Sequence, residues 1–466
     1  MLGRTWGLIN FMNDRTHAML TEPPLRLLLQ MTAPNTAAFT LQAVVNLAEI
    51  YIIGRLGTEA LAAIALVFPL LILVQTMSGG PLGGAITASI ARALGHGNRD
   101  NAERLVWHAI YGGTIGAVVF FILFALFGRQ LLSLLGGDGV ILEMAVTYCW
   151  VLFSGGLMMW LSSAIGAVYR GAGDMAFPAK LMILTGLLQV PVTAILVFGF
   201  FGLPALGVTG AAVSSVITGT IMTAILLLEL WRGKRALALK ATQAGWRPEL
   251  VSDILLVARP ASLNPLLNVG TILGLTALVG TFGPQALAGY GIGTRIEFIM
   301  LPVIFAFGTA LTTIVGTNIG AGDYDRAELA ARYGVGCATL VCASVGGLLA
   351  LFPNVWIPIF TDDVAAFETA RGYIRIVGPA YAFLGIGLVL YFASQGAGTM
   401  TWPIRAQILR FVITVGGASL LVHQFDFGLT AIFVTTVIAL MIYAGMISLA
   451  VFNGAWRPEA KAEVSA

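Results

Sequence analysis

The chain contains about a dozen apolar runs of roughly twenty residues or more, and half of them repeat, because the segment 34–178 returns almost in register at 260–403. At 1.5 Å per helical residue, about twenty residues match the ~30 Å hydrocarbon core of a bilayer, so each run is expected to cross as a helix. The runs lie at 27–54, 60–88, 105–128, 140–169, 177–200, 205–231, 251–280, 285–317, 329–352, 367–394, 404–424 and 427–453. With 58% hydrophobic and only 10% charged residues, a soluble chain of 466 residues could not cover itself with polar surface. The fold class is therefore an all-α integral membrane protein with twelve transmembrane helices.

Three short matches carry the repeat. Gly54-Arg55-Leu56-Gly57 aligns with Gly280-Thr281-Phe282-Gly283, Gly95-His96-Gly97-Asn98 with Gly320-Ala321-Gly322-Asp323, and Gly171-Ala172-Gly173 with Gly396-Ala397-Gly398. The long polar interruption 232–250 separates an N-lobe, 27–231, from a C-lobe, 251–453; the segments 1–26 and 454–466 flank them. Six helices return the chain to its starting side, so the second lobe enters the membrane like the first, as a parallel repeat. The remaining connections are short, which leaves no soluble catalytic module.

Charge sets the orientation. Arg4, Arg15, Arg26, Arg92, Arg99, Arg104, Arg170, Lys180, the cluster from Arg232 to Arg259, Arg326, Arg332, Arg405, Arg410, Arg457 and Lys461 fall on one side if the helices alternate. Only Arg55, Arg129, Arg371 and Arg375 fall on the other, so the positive-inside rule puts both termini and the central loop in the cytoplasm of a bacterial inner (plasma) membrane. Topology accounts for these charges without a nucleic acid. The first run lacks a small-residue cleavage site and reads as a retained helix. Cys149, Cys337 and Cys342 all fall within helices and read as packing residues, while His17, His96, His108 and His423 have no metal-ligand spacing. No cofactor is expected.

Taken in order and at repeat spacing, several residues resemble the multidrug and toxic compound extrusion (MATE) transporters over essentially the whole chain. They are Pro34, Gln42, the stretch from Asn46 to Gly57, the Ala91-Arg92-Ala93-Leu94-Gly95 loop, Tyr169-Arg170-Gly171-Ala172-Gly173-Asp174, and Leu206-Gly207-Val208-Thr209-Gly210. The resemblance implies efflux of bulky, often cationic organic compounds in exchange for protons or sodium ions, with two lobes alternating in access.

Glu49 and Glu297 are the two acids well inside predicted helices, where a charge is costly unless it faces a cavity or a partner. The family keeps an acid at the position of Glu49, usually Asp, for cation coupling; the alternative is a carboxyl that reaches interfacial water. Gln42, seven residues earlier, shares its face, with Asn46 between them. Where the family has Asn and Asp in the fifth helix, this chain has Gln189 and Thr193, so one carboxylate of the pair is missing. Glu49, Gln189, Thr193 and Ser215 could surround a sodium ion, or Glu49 could take a proton; Gln189 and Thr193 could equally bond helix to helix.

In the C-lobe the family's acids align with Asn268 and Leu384, and the repeat position of Glu49 is Leu275. Asn264 and Asn268 share a face and either line the substrate cavity or bond between helices. Glu297 reads as a cavity residue or a structural ion pair, with partners separate from those of Arg295. Pro34 and its equivalent Pro260 are hinge candidates, each either switching or fixed in its kink.

The expectation is a monomeric antiporter for small organic substrates in contact with membrane lipids, with Glu49 carrying the coupling ion, H+ or Na+. A lipid-precursor or metabolite exporter of the same superfamily is the rival. An intramembrane enzyme would need a clustered catalytic set, and the sequence has none.

Overall fold

A computed structural model describes residues 14–235 and 237–457. Arg4, Lys461 and the outer parts of segments 1–26 and 454–466 lie outside the described residues. Within them every regular element is helical and no strand occurs. Ten helices are long and apolar enough to cross a membrane, from Pro24–Gly54 to Leu429–Phe452. Two further pairs, Gly139–Ser154 with Gly156–Gly171 and Val364–Val377 with Tyr381–Ala397, are bent by 50° and 57°. Counting each bent pair as one span gives twelve, numbered here in chain order.

The helices outrun the apolar runs at their ends. The second span continues through Gly95, so the stretch Ala91–Gly95, expected as a loop, is helical, with Ala91 and Gly95 buried. The third extends over Arg99–Leu134 and the ninth over Tyr324–Leu351, each several residues longer at its polar end than its apolar run. Hydropathy marks where hydrocarbon ends, whereas a helix ends where its backbone donors find a cap. The caps repeat: Asn98 Oδ1 accepts from the Asn101 amide and Asp323 Oδ1 from the Arg326 amide, both at 3.0 Å. Before each cap stands a glycine in the left-handed region, Gly97 at φ 74° and Gly322 at φ 79°. That conformation excludes most side chains, which explains why glycine recurs at the two matched positions.

Contacts divide the described chain into two compact units. The first takes the described residues up to Ala18 together with Ala33–Ala258; the second takes Met19–Thr32 and the described residues from Arg259 onward. In the first unit, side chains of the second, third, fourth and sixth spans share one apolar core that includes Val67, Phe124, Cys149, Phe153 and Ala212. The segment 232–250, set between the lobes in the sequence, belongs wholly to this unit. Lys240 Nζ lies 2.5 Å from the buried carboxylate of Glu103, and Arg235 lies 3.1 Å from that of Asp174.

In the second unit the eighth and tenth spans pack closely at glycines: an added Cβ on Gly396 would come within 2.5 Å of the Thr312 carbonyl. Arg326 donates to the carbonyls of Met19 and Glu22, and Asn318 Nδ2 donates to that of Met19 at 3.3 Å. These bonds explain why Met19–Thr32 belongs to the second unit. Glu328, the repeat equivalent of Glu103, takes Arg457 at 3.1 Å, so each half fastens the chain that follows its sixth span to an acid on its third.

The hinge candidates differ. Pro34 sits inside one uninterrupted helix, Pro24–Gly54. Pro260 sits next to a break, since Pro248–Ala261 ends there and Leu263–Gly280 begins after Ser262.

Candidate functional site

Three helices of the first unit bring Glu49, Gln189, Thr193 and Ser215 together. Glu49 lies on the first span, one turn before its end at Gly54. Gln189 and Thr193 occupy adjacent turns of Ala176–Phe198, where a spacing of four puts both on one face. Ser215 lies in the second turn of Val208–Arg232, which opens after Gly207. Gln189 Nε2 donates to Glu49 Oε1 at 2.7 Å and to Ser215 Oγ at 3.2 Å. Thr193 Oγ1 donates to the same Oε1 at 3.3 Å.

A fifth member was not anticipated. Ser214, fully buried, lies 2.7 Å from Thr193 Oγ1 and donates to the Gln189 carbonyl at 3.3 Å, so it holds both neighbours of the acid. Tyr148 of the fourth span, also buried, stands near Glu49. Ser214 adjoins the Ser215 singled out from the sequence, but helical phase alone does not say which hydroxyl points at which neighbour.

The site holds a lone carboxylate met by donors. Gln189 and Thr193 both give hydrogens to Oε1, one from an amide NH2 and one from a hydroxyl. Such a shell stabilises the charged carboxylate. A sodium ion needs oxygens instead, and the Gln189 amide would have to turn its Oε1 inward and give up both of its bonds. Among the described residues no group of three or more His, Cys, Asp or Glu side chains could hold a metal.

Gln42 and Asn46 lie one turn apart on the first span and bond to each other, Gln42 Nε2 to Asn46 Oδ1 at 3.1 Å. In the second unit Asn268 Nδ2 donates to Asn264 Oδ1 at 3.0 Å, and Gln407 Nε2 donates to Asn268 Oδ1 at 2.9 Å. The two asparagines thus form an amide chain with the eleventh span. The position equivalent to Glu49 is Leu275, buried in apolar surroundings.

Glu297 faces the Tyr381 hydroxyl and the positive charge of Arg410. Tyr381 in turn shares a hydroxyl contact of 3.1 Å with Tyr373, and Arg410 stacks 5.4 Å above the Tyr443 ring. Arg295 instead covers the Phe360 ring at 5.1 Å, so the two charges have separate partners.

The MatE family model matches the chain twice, at residues 34–195 and 260–420, which are the two halves of the repeat. A FAD transporter of Shewanella oneidensis is 28% identical over 388 residues, 82% of this chain and 84% of that protein. A probable multidrug resistance protein NorM of Thermotoga maritima is 26% identical over 436 residues, 93% of each chain. A crystal structure of a MATE protein in the bent conformation superposes with a TM-score of 0.88, covering 97% of this chain and 99% of that one at 22% identity.

Proposed function

Since the chain belongs to the MatE family and is a membrane transporter rather than an enzyme, we propose that it exports small organic compounds by antiport, with Glu49 carrying the coupling proton. The observation that supports this reading is the single carboxylate held by Gln189 and Thr193 at the meeting of three spans. Charge-assisted hydrogen bonds contribute about 1.5–3 kcal/mol each, and neutral ones about 0.5–1.5. Protonating Glu49 exchanges two of the first kind for two of the second. That difference, roughly 2–3 kcal/mol, moves a two-state equilibrium about 30- to 150-fold. The first span, released from the fifth and sixth, is then free to change shape. Pro34, whose missing N–H already weakens that helix, is our candidate for the bending point, and Pro260 for its counterpart.

On this reading Gln42, Asn46, Asn264, Asn268 and Glu297 supply polar points for substrate, and the protein works as a monomer with both termini cytoplasmic. The decisive experiment is efflux from proteoliposomes under an imposed pH gradient or an imposed sodium gradient. A pH gradient alone should drive uphill movement, and Glu49→Gln should abolish it while the protein remains folded. Uphill transport by sodium alone would assign the site to Na+ and overturn the proton reading.

A second reading follows from the Shewanella relative, whose name makes it a transporter of FAD. Export of an anionic, nucleotide-like metabolite through the same coupling site is supported by that similarity. Competition assays that set cationic dyes against flavin nucleotides separate the two substrate classes.

A further inference from the structure

Within the first unit the segment Lys240–Arg247 is fastened to the cytoplasmic-side end of the third span by its backbone. Trp107 Nε1 donates to the Lys240 carbonyl at 2.9 Å and the Tyr111 hydroxyl to the Ala244 carbonyl at 2.5 Å. Between them His108, buried at 3% exposure, takes the Arg247 amide on Nε2 at 3.1 Å. Its other nitrogen, Nδ1, lies 2.9 Å from the Arg104 carbonyl. The Trp246 ring closes the box, 5.8 Å from the imidazole and 6.0 Å from Tyr111.

These partners leave the imidazole one state. A backbone N–H only donates and a carbonyl only accepts, so Nε2 must carry a lone pair and Nδ1 the hydrogen. An imidazolium would turn a hydrogen toward the Arg247 N–H and break the fastening. We infer that His108 is a pH-sensitive fastener of the segment between the two halves, closed when the ring is neutral and released when it takes a proton.

Charged groups stand on the elements around the ring. Arg104 lies on the same helix, and Lys240 and Arg247 on the fastened segment. Arg92 and Arg170 belong to the neighbouring helices Gly83–Gly95 and Gly156–Gly171, with Arg92 held by Asp253 at 2.8 Å. The nearby acid, Glu103, is already engaged by Lys240, Arg99 and Gln243. The sign follows from the two hydrogen bonds: the neutral ring is the bound form, so taking up a proton weakens the fastening. The segment leads directly into Pro248, where the seventh span begins, so its release loosens the chain just before that span. A transporter exchanging protons would then carry a sensor of proton supply outside its transport site.

The test is hydrogen exchange on the full chain in lipid nanodiscs, following the peptide 241–250 and correcting for intrinsic exchange rates. Between about pH 7.5 and about pH 5.5, which bracket ordinary histidine titration, the wild type should lose protection by up to about tenfold. His108→Gln, whose side-chain oxygen accepts the same N–H and cannot be protonated, should stay protected at both. Equal protection of the wild type at both values overturns the proposal, as does a pH step that persists in His108→Gln. Should that variant fail to fold, Glu103→Gln is the second arm: the step must survive it. Its disappearance would assign the titration to Glu103 and overturn the proposal.

Discussion

At the scale of the residue, Glu49 gains its meaning from neighbours that cost little to specify. One amide and one hydroxyl hold its Oε1, and a second hydroxyl, Ser214, holds those two in turn. Ser214→Ala should therefore weaken the site without removing the acid. Losing one hydrogen bond costs about 1 kcal/mol, so the coupling-ion concentration for half-maximal efflux should shift roughly fivefold at near-normal maximal rate. An unchanged half-maximal point would show that Ser214 only packs. Glu49 stands out in the sequence as a lone acid inside an apolar run, whereas Gln189, Thr193 and Ser215 enter only through the family resemblance; the structure brings the four side chains together. The parts of Ser214, Tyr148 and His108 were not legible there, since each depends on which way a neighbouring helix is rotated about its axis.

At the scale of the element, close approach decides more than hydropathy does. The tenth span bends by 57° at its break, and Gly346 of the ninth span packs against the carbonyl of Gly378 at that bend. A Cβ on Gly346 would run into this backbone oxygen, whereas one on the adjacent Gly347 meets nothing within 4 Å. Overpacking against rigid backbone typically costs about 1–3 kcal/mol, so Gly346→Ala should lower the melting temperature in detergent by several degrees. Gly347→Ala should leave it within about a degree. Equal effects would mean that the bend yields. Apolar runs locate such helices to within a few residues. Capping by Asn98 and Asp323 extends them, and the breaks at Gly155 and Gly378 are visible only where helices meet.

At the scale of the whole molecule, the duplication and its loss of symmetry act together. Glycines with positive φ, Gly97 with Gly322 and Gly173 with Gly398, keep the turns of both halves alike. The acid stands only in the first half; in the second, a buried Leu275 takes its position. Orientation is the open global expectation. A cysteine in place of Lys234 should react with a membrane-impermeant maleimide only from the cytoplasmic face, and one in place of Leu135 only from the opposite face. Labelling of both from one side would overturn the topology. The class, the crossings, the repeat and the presence of a lone acid in an apolar run are legible along the chain, because hydrocarbon thickness and the cost of buried charge act on each helix alone. Only the tertiary structure decided which unit Met19–Thr32 and the segment 232–250 join, and which hydroxyls and rings close on Glu49 and Arg247. Those outcomes depend on the rotation and approach of helices far apart in the chain, which no local pattern encodes.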